Sequence, residues 1–224
     1  MSQATFTGYV RRKTTERPWA VVNDFVGSAL ASAMGVPTPA NTLMMLPADE
    51  AGHLTLQYGQ DGIQAPGVEG EQAVELDVWA ATGILVLDQW LLNEDRYDNM
   101  LQIGTSPLVA IDHDGCLAGH DPKTDYPGHL ERSQSLPLLR HEIAQALEET
   151  RYVSPWVARA QAVSSEEVRR IAYQLFDSKV INRYERDAII NFLRFRQRNL
   201  SEWMRRLMQA SGHPLQELPL PEGA

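Results

Sequence analysis

The residues of this chain that could do chemistry crowd into one stretch. Leu87-Asp88-Gln89-Trp90-Leu91-Leu92-Asn93-Glu94-Asp95-Arg96-Tyr97-Asp98-Asn99-Met100-Leu101 is followed, after a turn, by Val109-Ala110-Ile111-Asp112-His113-Asp114-Gly115. Seven carboxylate or carboxamide side chains lie in the first loop and its flanks, and the later apolar run ends in further acids. A polar loop at the end of a buried helix, joined to a hairpin whose second strand finishes in Asp, can converge several oxygen ligands on one point. Hard cations such as magnesium take such sites and complete the shell with water and substrate phosphates. An Asx-rich turn that satisfies its own backbone is the alternative. His113 is open in the same way, as a ligand beside Asp112 or as a hydrogen-bonded structural imidazole. The other histidines fall at no ligand spacing and Cys116 is the only cysteine, so a zinc site is not expected. Asp112-His113-Asp114-Gly115 starts like a calcium loop but carries Leu117 where that loop needs glycine. No Gly-x-Ser-x-Gly elbow or Gly-x4-Gly-Lys-Ser/Thr loop occurs.

The elements that must position these residues follow from periodicity. Thr5 to Thr14 reads as a strand, with Arg11 and Lys13 on one face. From Pro18, apolar residues Val21, Val22, Phe25, Val26, Leu30 and Met34 recur at helical spacing up to Gly35, a natural stop. Val36 to Pro39 is extended, and Thr42 to Leu46 suits a strand. Pro47 to Gln72 holds five glycines and two prolines around one possible strand, Leu54 to Tyr58, and reads as a hinge. Ala73 to Leu92 is the most hydrophobic segment and predicts a buried helix. Leu101 to Ile103 and Leu108 to Ile111 flank Gly104-Thr105-Ser106-Pro107, which predicts a hairpin. The remainder is helical: Leu138 to Glu148, a helix opened by the capping pattern Ser164-Ser165-Glu166-Glu167, and Glu185 to Met208 with most of its arginines opposite the apolar side. Trp90, Trp156 and Trp203 are expected in the core.

These segments predict an α+β chain of two lobes: residues 1–60 as a small strand-and-helix lobe, 61–72 as hinge, 73–212 as a helical lobe holding the polar loop and hairpin, and 213–224 as a flexible tail. With 224 residues, 43% of them hydrophobic, the chain can bury a substantial core. Val78 to Leu87, the longest uncharged run of the apolar helix, is about half of a bilayer span, so no membrane association is expected. A lone Cys116 and an N-terminal Met1 to Thr5 without an apolar h-region point to the cytoplasm. A net charge of −9 argues against nucleic-acid binding. Charge is also polarised along the chain: nine acids face one base between Asp61 and Asp98, whereas Arg183 to Met208 holds seven arginines against three acids. A solvated face explains either block, as does a cation-binding cleft for the first and an acidic partner for the second.

Asp95-Arg96-Tyr97-Asp98-Asn99-Met100-Leu101 followed by Ala110-Ile111-Asp112-His113 resembles the catalytic and metal-binding segments of HipA-like kinases and, more distantly, of phosphatidylinositol 3/4-kinases. Tyr9-Val10-Arg11, Val21-Val22-Asn23-Asp24 and Met34-Gly35-Val36-Pro37-Thr38-Pro39 are similar to the family's small-lobe strand, acid-bearing helix and the turn after it. The resemblance spans about Tyr9 to Gly119. It implies a two-lobed protein-kinase-like fold with a reduced small N-terminal lobe and a mainly helical C-terminal lobe, using ATP and magnesium to phosphorylate a protein hydroxyl. By the same resemblance Asp95 is the catalytic aspartate, Asn99 and Asp112 are metal ligands, and Arg11 or Lys13 meets the nucleotide phosphates, steadied by Asp24. The block from Leu54 to Gly62 would line the adenine. Asp95 and Asn99 are four positions apart, one fewer than in the family, which leaves Glu94 as a second candidate for the catalytic position. Tyr97 stands where His is usual, and Arg11 where Lys is commonest. With eight residues before Tyr9, the Gly-rich cover of the nucleotide is not expected. A nucleotide-binding relative without turnover and a helical interaction module are the other classes compatible with the sequence.

Overall fold

The computed structural model of the chain describes residues 7–59, 65–117, 119 and 125–213. The first residues of the expected N-terminal strand, the Asp61 and Gly62 portion of the hinge, and the tail from Pro214 lie outside the described residues. Strand β1 (Gly8–Arg11) leads to helix α1 (Ala20–Met34), then β2 (Asn41–Leu46), a single 3-10 turn (Pro47–Asp49) and β3 (Glu50–Leu56). These three strands form an antiparallel sheet in the order β1-β3-β2. The helical part comprises α2 (Gly70–Leu91), the short hairpin β4 (Met100–Leu101) and β5 (Val109–Ala110), then α3 (Tyr126–Ser133), α4 (Glu142–Ala146), α5 (Val153–Ala162), α6 (Ser165–Asp177) and α7 (Arg183–Ala210).

Helix α1 stops where Gly35 turns left-handed at φ 81° and returns backbone N–H groups to Ala31 and Ser32. Its face places Val22, Phe25, Val26 and Leu30 in one core shared with α2, α5, α6 and α7. Helix α2 begins inside the stretch expected as hinge, and just before it the Val68 N–H donates to the Met100 carbonyl at 2.9 Å. Within α2, Asp77 leaves helical geometry (φ −157°, ψ 81°), and its carboxylate accepts from the Ala80 N–H at 3.0 Å. Asp77 therefore caps the second half of the helix, a kink the hydrophobic pattern did not announce. Gly83 lets Trp156 approach: a Cβ there would lie 2.7 Å from the indole. Trp90 and Trp156 are fully buried and Trp203 nearly so.

Three expectations change. Strand β1 ends at Arg11, so Arg12 and Lys13 leave the sheet, and β3 begins at Glu50 rather than Leu54. The helix expected over Leu138 to Glu148 is only α4, because the Leu138 carbonyl, which a helix starting there would offer to the Glu142 N–H, instead accepts from the Gln89 side chain at 3.1 Å, and the same side chain accepts from the Leu138 N–H at 2.8 Å. Ser164 caps α6 through the Glu167 N–H, but the reciprocal capping box is made by Asn182 and Glu185 at the start of α7.

Arg196 of α7 corrects the picture of a solvated arginine face. It is fully buried and, among the described residues, pairs with no carboxylate; Nε donates to the Trp90 carbonyl at 2.7 Å, and its terminal nitrogens reach the carbonyls of Gln89, Gln134 and Leu136. Phe192 and Trp203 flank the guanidinium. Burial lowers its pKa to about 9, so the charge survives at neutral pH. Arg196→Met should cost on the order of 3 kcal/mol, because buried carbonyls lose a charged donor. Urea denaturation checks this; an unchanged midpoint would mean the carbonyls do not depend on Arg196.

Gly27 on α1 faces His113, where a Cβ would fall 2.3 Å from the His113 Cβ. Gly27→Ala gains up to about 1 kcal/mol of helix propensity, yet the overlap costs about 1–3 kcal/mol, so a net loss of stability is expected. A raised melting temperature would show that His113 yields freely.

Candidate active site

The sheet register assembles one wall of the site. Arg11 pairs with His53 and Tyr9 with Thr55, and the period-2 alternation puts these four side chains on one face of the sheet. Asp24, one turn before Gly27 on α1, meets that face. Its Oδ2 accepts from His53 Nδ1 at 2.8 Å and lies 3.4 Å from Arg11 Nε, while Oδ1 accepts from the His113 N–H at 2.9 Å. Burial alone would raise the Asp24 pKa; the hydrogen bond and charge of His53, then the charge of Arg11, bring it down to about 2. Arg11 spans the whole cluster, giving one terminal nitrogen to Asp112 at 2.6 Å and the other to Asp114. Burial works against the charge on Arg11, and the three carboxylates raise its pKa above the ordinary arginine value. Asp114 is held in turn by Asn23 of α1, whose amide donates to its carbonyl at 2.8 Å.

A second buried cluster fixes the polar loop. Asp88, in the last turn of α2, is fully buried; it accepts from Arg96 Nε at 2.8 Å and the Asn93 amide at 2.9 Å, and lies 3.1 Å from His141 Nε2. Burial would raise the pKa of Asp88, but Arg96 first and His141 next hold it well below the ordinary carboxylate range. The remaining Arg96 donors reach the carbonyls of Asn99 and Ile111 at 2.9 and 2.8 Å and His113 Nδ1 at 3.1 Å. A guanidinium can only donate, so His113 Nδ1 accepts and the ring carries its proton on Nε2. Burial, then Arg96, lowers the His113 pKa to about 4, and His113 Nε2 has no partner among the described residues. This geometry is that of a structural imidazole.

The first cluster borders a cavity of about 400 Å³ between the sheet and the hairpin. Tyr9, Thr55, Leu56, Tyr58, Ala65, Leu101 and Ile111 line most of it, with Arg11, Asp24 and Asp112 at its polar end. Arg11, Asp24 and Asp112 are thus brought together. Asp95 and Asn99 sit on the adjoining loop, where the Asn99 amide donates to the Asp95 carbonyl at 3.0 Å and the Asn99 carbonyl accepts from the Ile111 N–H at 3.1 Å. Lys13 stands apart: past the end of β1, its Nζ lies 5.6 Å from the centre of the Trp19 ring, and it does not line the cavity. Asp112 adopts left-handed backbone (φ 49°), as does Asp98 (φ 59°), a conformation Asp tolerates better than most residues and one that clusters at functional sites. Among the described residues no three His, Cys, Asp or Glu side chains form a ready metal cage. The Asp112 carboxylate and Asn99 carboxamide nevertheless fit magnesium by type, since that ion takes few hard oxygen donors from protein and the rest from water and phosphate. His53 lines the cavity, and Asp114 joins Arg11 to Arg17 beside it, roles that the sequence did not give to these residues; only the density of acids near Asp112 hinted at Asp114.

No protein-family model matches the chain, and no curated protein does. Among solved structures, the proinflammatory kinase CtkA of Helicobacter pylori superposes with a TM-score of 0.58 at 11% identity, covering 90% of this chain and 87% of that one. HipA of a Shewanella oneidensis MR-1 toxin–antitoxin system, solved with HipB and operator DNA, gives a TM-score of 0.48 at 9% identity, covering 93% of this chain and 61% of that one. At such identity the likeness to CtkA is one of fold: this chain has the fold of that kinase, with a small sheet lobe and a mainly helical lobe.

Proposed function

We propose that this chain is an ATP-dependent kinase that transfers the γ-phosphoryl group to a protein Ser or Thr hydroxyl with magnesium. Arg11 carries this assignment: at the polar end of the cavity it joins Asp24, the acid that steadies it, to Asp112, the acid suited to metal. The rest of the cavity is apolar and broad enough for a nucleobase, within the usual range of about 300–1,000 Å³ for ligand sites. Arg11 would move from Asp112 and Asp114 to the nucleotide phosphates. Asn99 and Asp112 would hold magnesium, which supplies neutralisation of the phosphate charge. Asp95, exposed on the loop below, would orient the acceptor hydroxyl and take its proton as the hydroxyl oxygen bonds to the γ-phosphorus and the bond to the leaving ADP oxygen breaks. No helix among the described residues is long and apolar enough to cross a membrane, and we place the reaction in the cytoplasm. A nucleotide-binding relative without turnover is the second reading, favoured by the engagement of Asp112 with Arg11.

Incubation with labelled ATP and magnesium, alone and in a lysate, should put label on protein; nucleotide binding without any transfer would select the second reading. Asp112→Asn should weaken magnesium-dependent nucleotide binding, whereas Asp95→Asn should leave binding nearly intact and lower turnover by about 10²–10⁴-fold. The reverse pattern in calorimetry would exchange the two roles. Arg11→Ala should weaken ATP far more than adenosine, and equal effects on both would remove Arg11 from the phosphates.

A further inference from the structure

Asp114 receives two guanidinium groups on one oxygen. Oδ2 accepts from Arg11 and, at 2.9 Å, from Arg17, while the Asp114 side chain is only 3% exposed. The two arginines are placed very differently. Arg11 gives all three of its nitrogen positions to acids, Nε to Asp24 and the terminal pair to Asp112 and Asp114. Arg17 has one side-chain hydrogen bond among the described residues, to Asp114, and is 53% exposed. Among the described residues its other two nitrogens make no hydrogen bond, and it stands beside a carboxylate already paired with another cation.

Arg17 is nonetheless held in place. It lies in the turn between β1 and α1, where its N–H donates to Thr14 Oγ1 at 3.0 Å and its carbonyl accepts from the Thr14 and Ala20 N–H groups at 3.4 Å each. Pro18 follows and restricts the backbone further. A long, half-exposed cation on a braced turn, tethered by one donor, loses little entropy on meeting an anion.

Its place beside a residue of the cavity bears on which anion it could meet. Tyr58, Ala65, Leu101 and Ile111 are an apolar part of its lining, and Arg11 and Asp112 a charged part. A molecule with its flat apolar part against those residues would bring its charged chain to Arg11. Arg11 lines the cavity and Arg17 does not, yet both donate to Asp114 Oδ2, so Arg17 is the next cation outward from Arg11.

We infer that Arg17 is a specificity residue that binds the terminal phosphate of a nucleoside triphosphate, so that the site distinguishes triphosphate from diphosphate. This rests on the nucleotide reading above and adds to it a cation from the β1–α1 turn. An ordinary surface ion pair between Arg17 and Asp114 is the competing account; it would contribute about 0–1 kcal/mol to stability and nothing selective to binding.

Calorimetry with a non-hydrolysable ATP analogue, ADP and adenosine, each with magnesium, separates the two accounts. Arg17→Gln, which keeps a polar donor but is shorter and uncharged, and Arg17→Ala should each weaken the triphosphate by about tenfold or more and change ADP and adenosine by less than about twofold. Arg17→Lys should restore part of the loss. An equal loss for ADP and triphosphate, or none for the triphosphate, would overturn the assignment, with melting temperatures confirming that the variants are folded. Should wild-type protein bind neither the triphosphate analogue nor ADP, the nucleotide reading fails and this inference with it; binding by the wild type without discrimination by the variants sinks the role of Arg17 alone.

Discussion

Asp88 and Arg96 form the interaction on which the site's geometry depends. A carboxylate in the last turn of α2 sits at the negative end of the helix dipole and away from water, two unfavourable conditions at once. Arg96 compensates with a two-pronged grip, and once paired it has donors left over for the carbonyls of Asn99 and Ile111. One side chain therefore sets the distance between the helix end, the polar loop and the end of β5. Removing either partner of such a buried pair typically costs about 3–5 kcal/mol, because the other charge stays buried and unmatched. His113 receives the last donor, and through its N–H to Asp24 the same chain of bonds reaches α1 and the sheet.

Much of the fold was legible because apolar spacing is a local property. Helices α1, α2, α6 and α7 and strand β2 lie within a few residues of where periodicity puts them, and Gly35 ends α1 as its backbone freedom suggests. The failures occurred where distant groups override local preference. Leu138 has a helical pattern around it, but its carbonyl and N–H both go to Gln89 on α2. Arg196 looked like one more charged position opposite an apolar stripe; only the convergence of carbonyls from the end of α2 and the 134–136 segment gives it reason to be inside. Such partners are far apart in sequence and leave no periodic trace.

The site was legible in a similar measure. Arg11, Asp24 and Asp112 could be named from the order of motifs, and the structure brings all three to one end of the cavity. Lys13 could be named only by assuming that the strand continued two residues further; once β1 ends at Arg11, side-chain alternation no longer applies to it. Asp114 and Arg17 were invisible as partners, since an acid after a strand and an arginine before a proline are ordinary in isolation. His53 needed the β1–β3 register, which a sequence does not print. The dense acids around Asp88 had two candidate explanations, metal ligands or local turns. Asp88 follows neither: it is the buried counterion of Arg96.

The burial of α1 bears on how a ligand would enter. In a two-lobed enzyme opening is often pictured as whole lobes swinging about a hinge, and the glycines between Pro47 and Gln72 invite that picture. Here Val22, Val26, Leu30 and Met34 of α1 are embedded in the same core as α2, α5 and α6, so this helix cannot swing without exposing tightly packed apolar surface. The three-stranded sheet is the less buried body: its residues Val10 and Met45 are exposed. Its ties to the helical part near the cavity are largely polar, through Arg11 and His53 to Asp24 and through Tyr58 to Ser106. Polar ties can be exchanged for water at modest cost, whereas the α1 packing cannot. An opening of the cleft that keeps the α1 packing intact must therefore shift the small sheet against a fixed helix, with Asp24 of α1 staying in place while its partners Arg11 and His53 move.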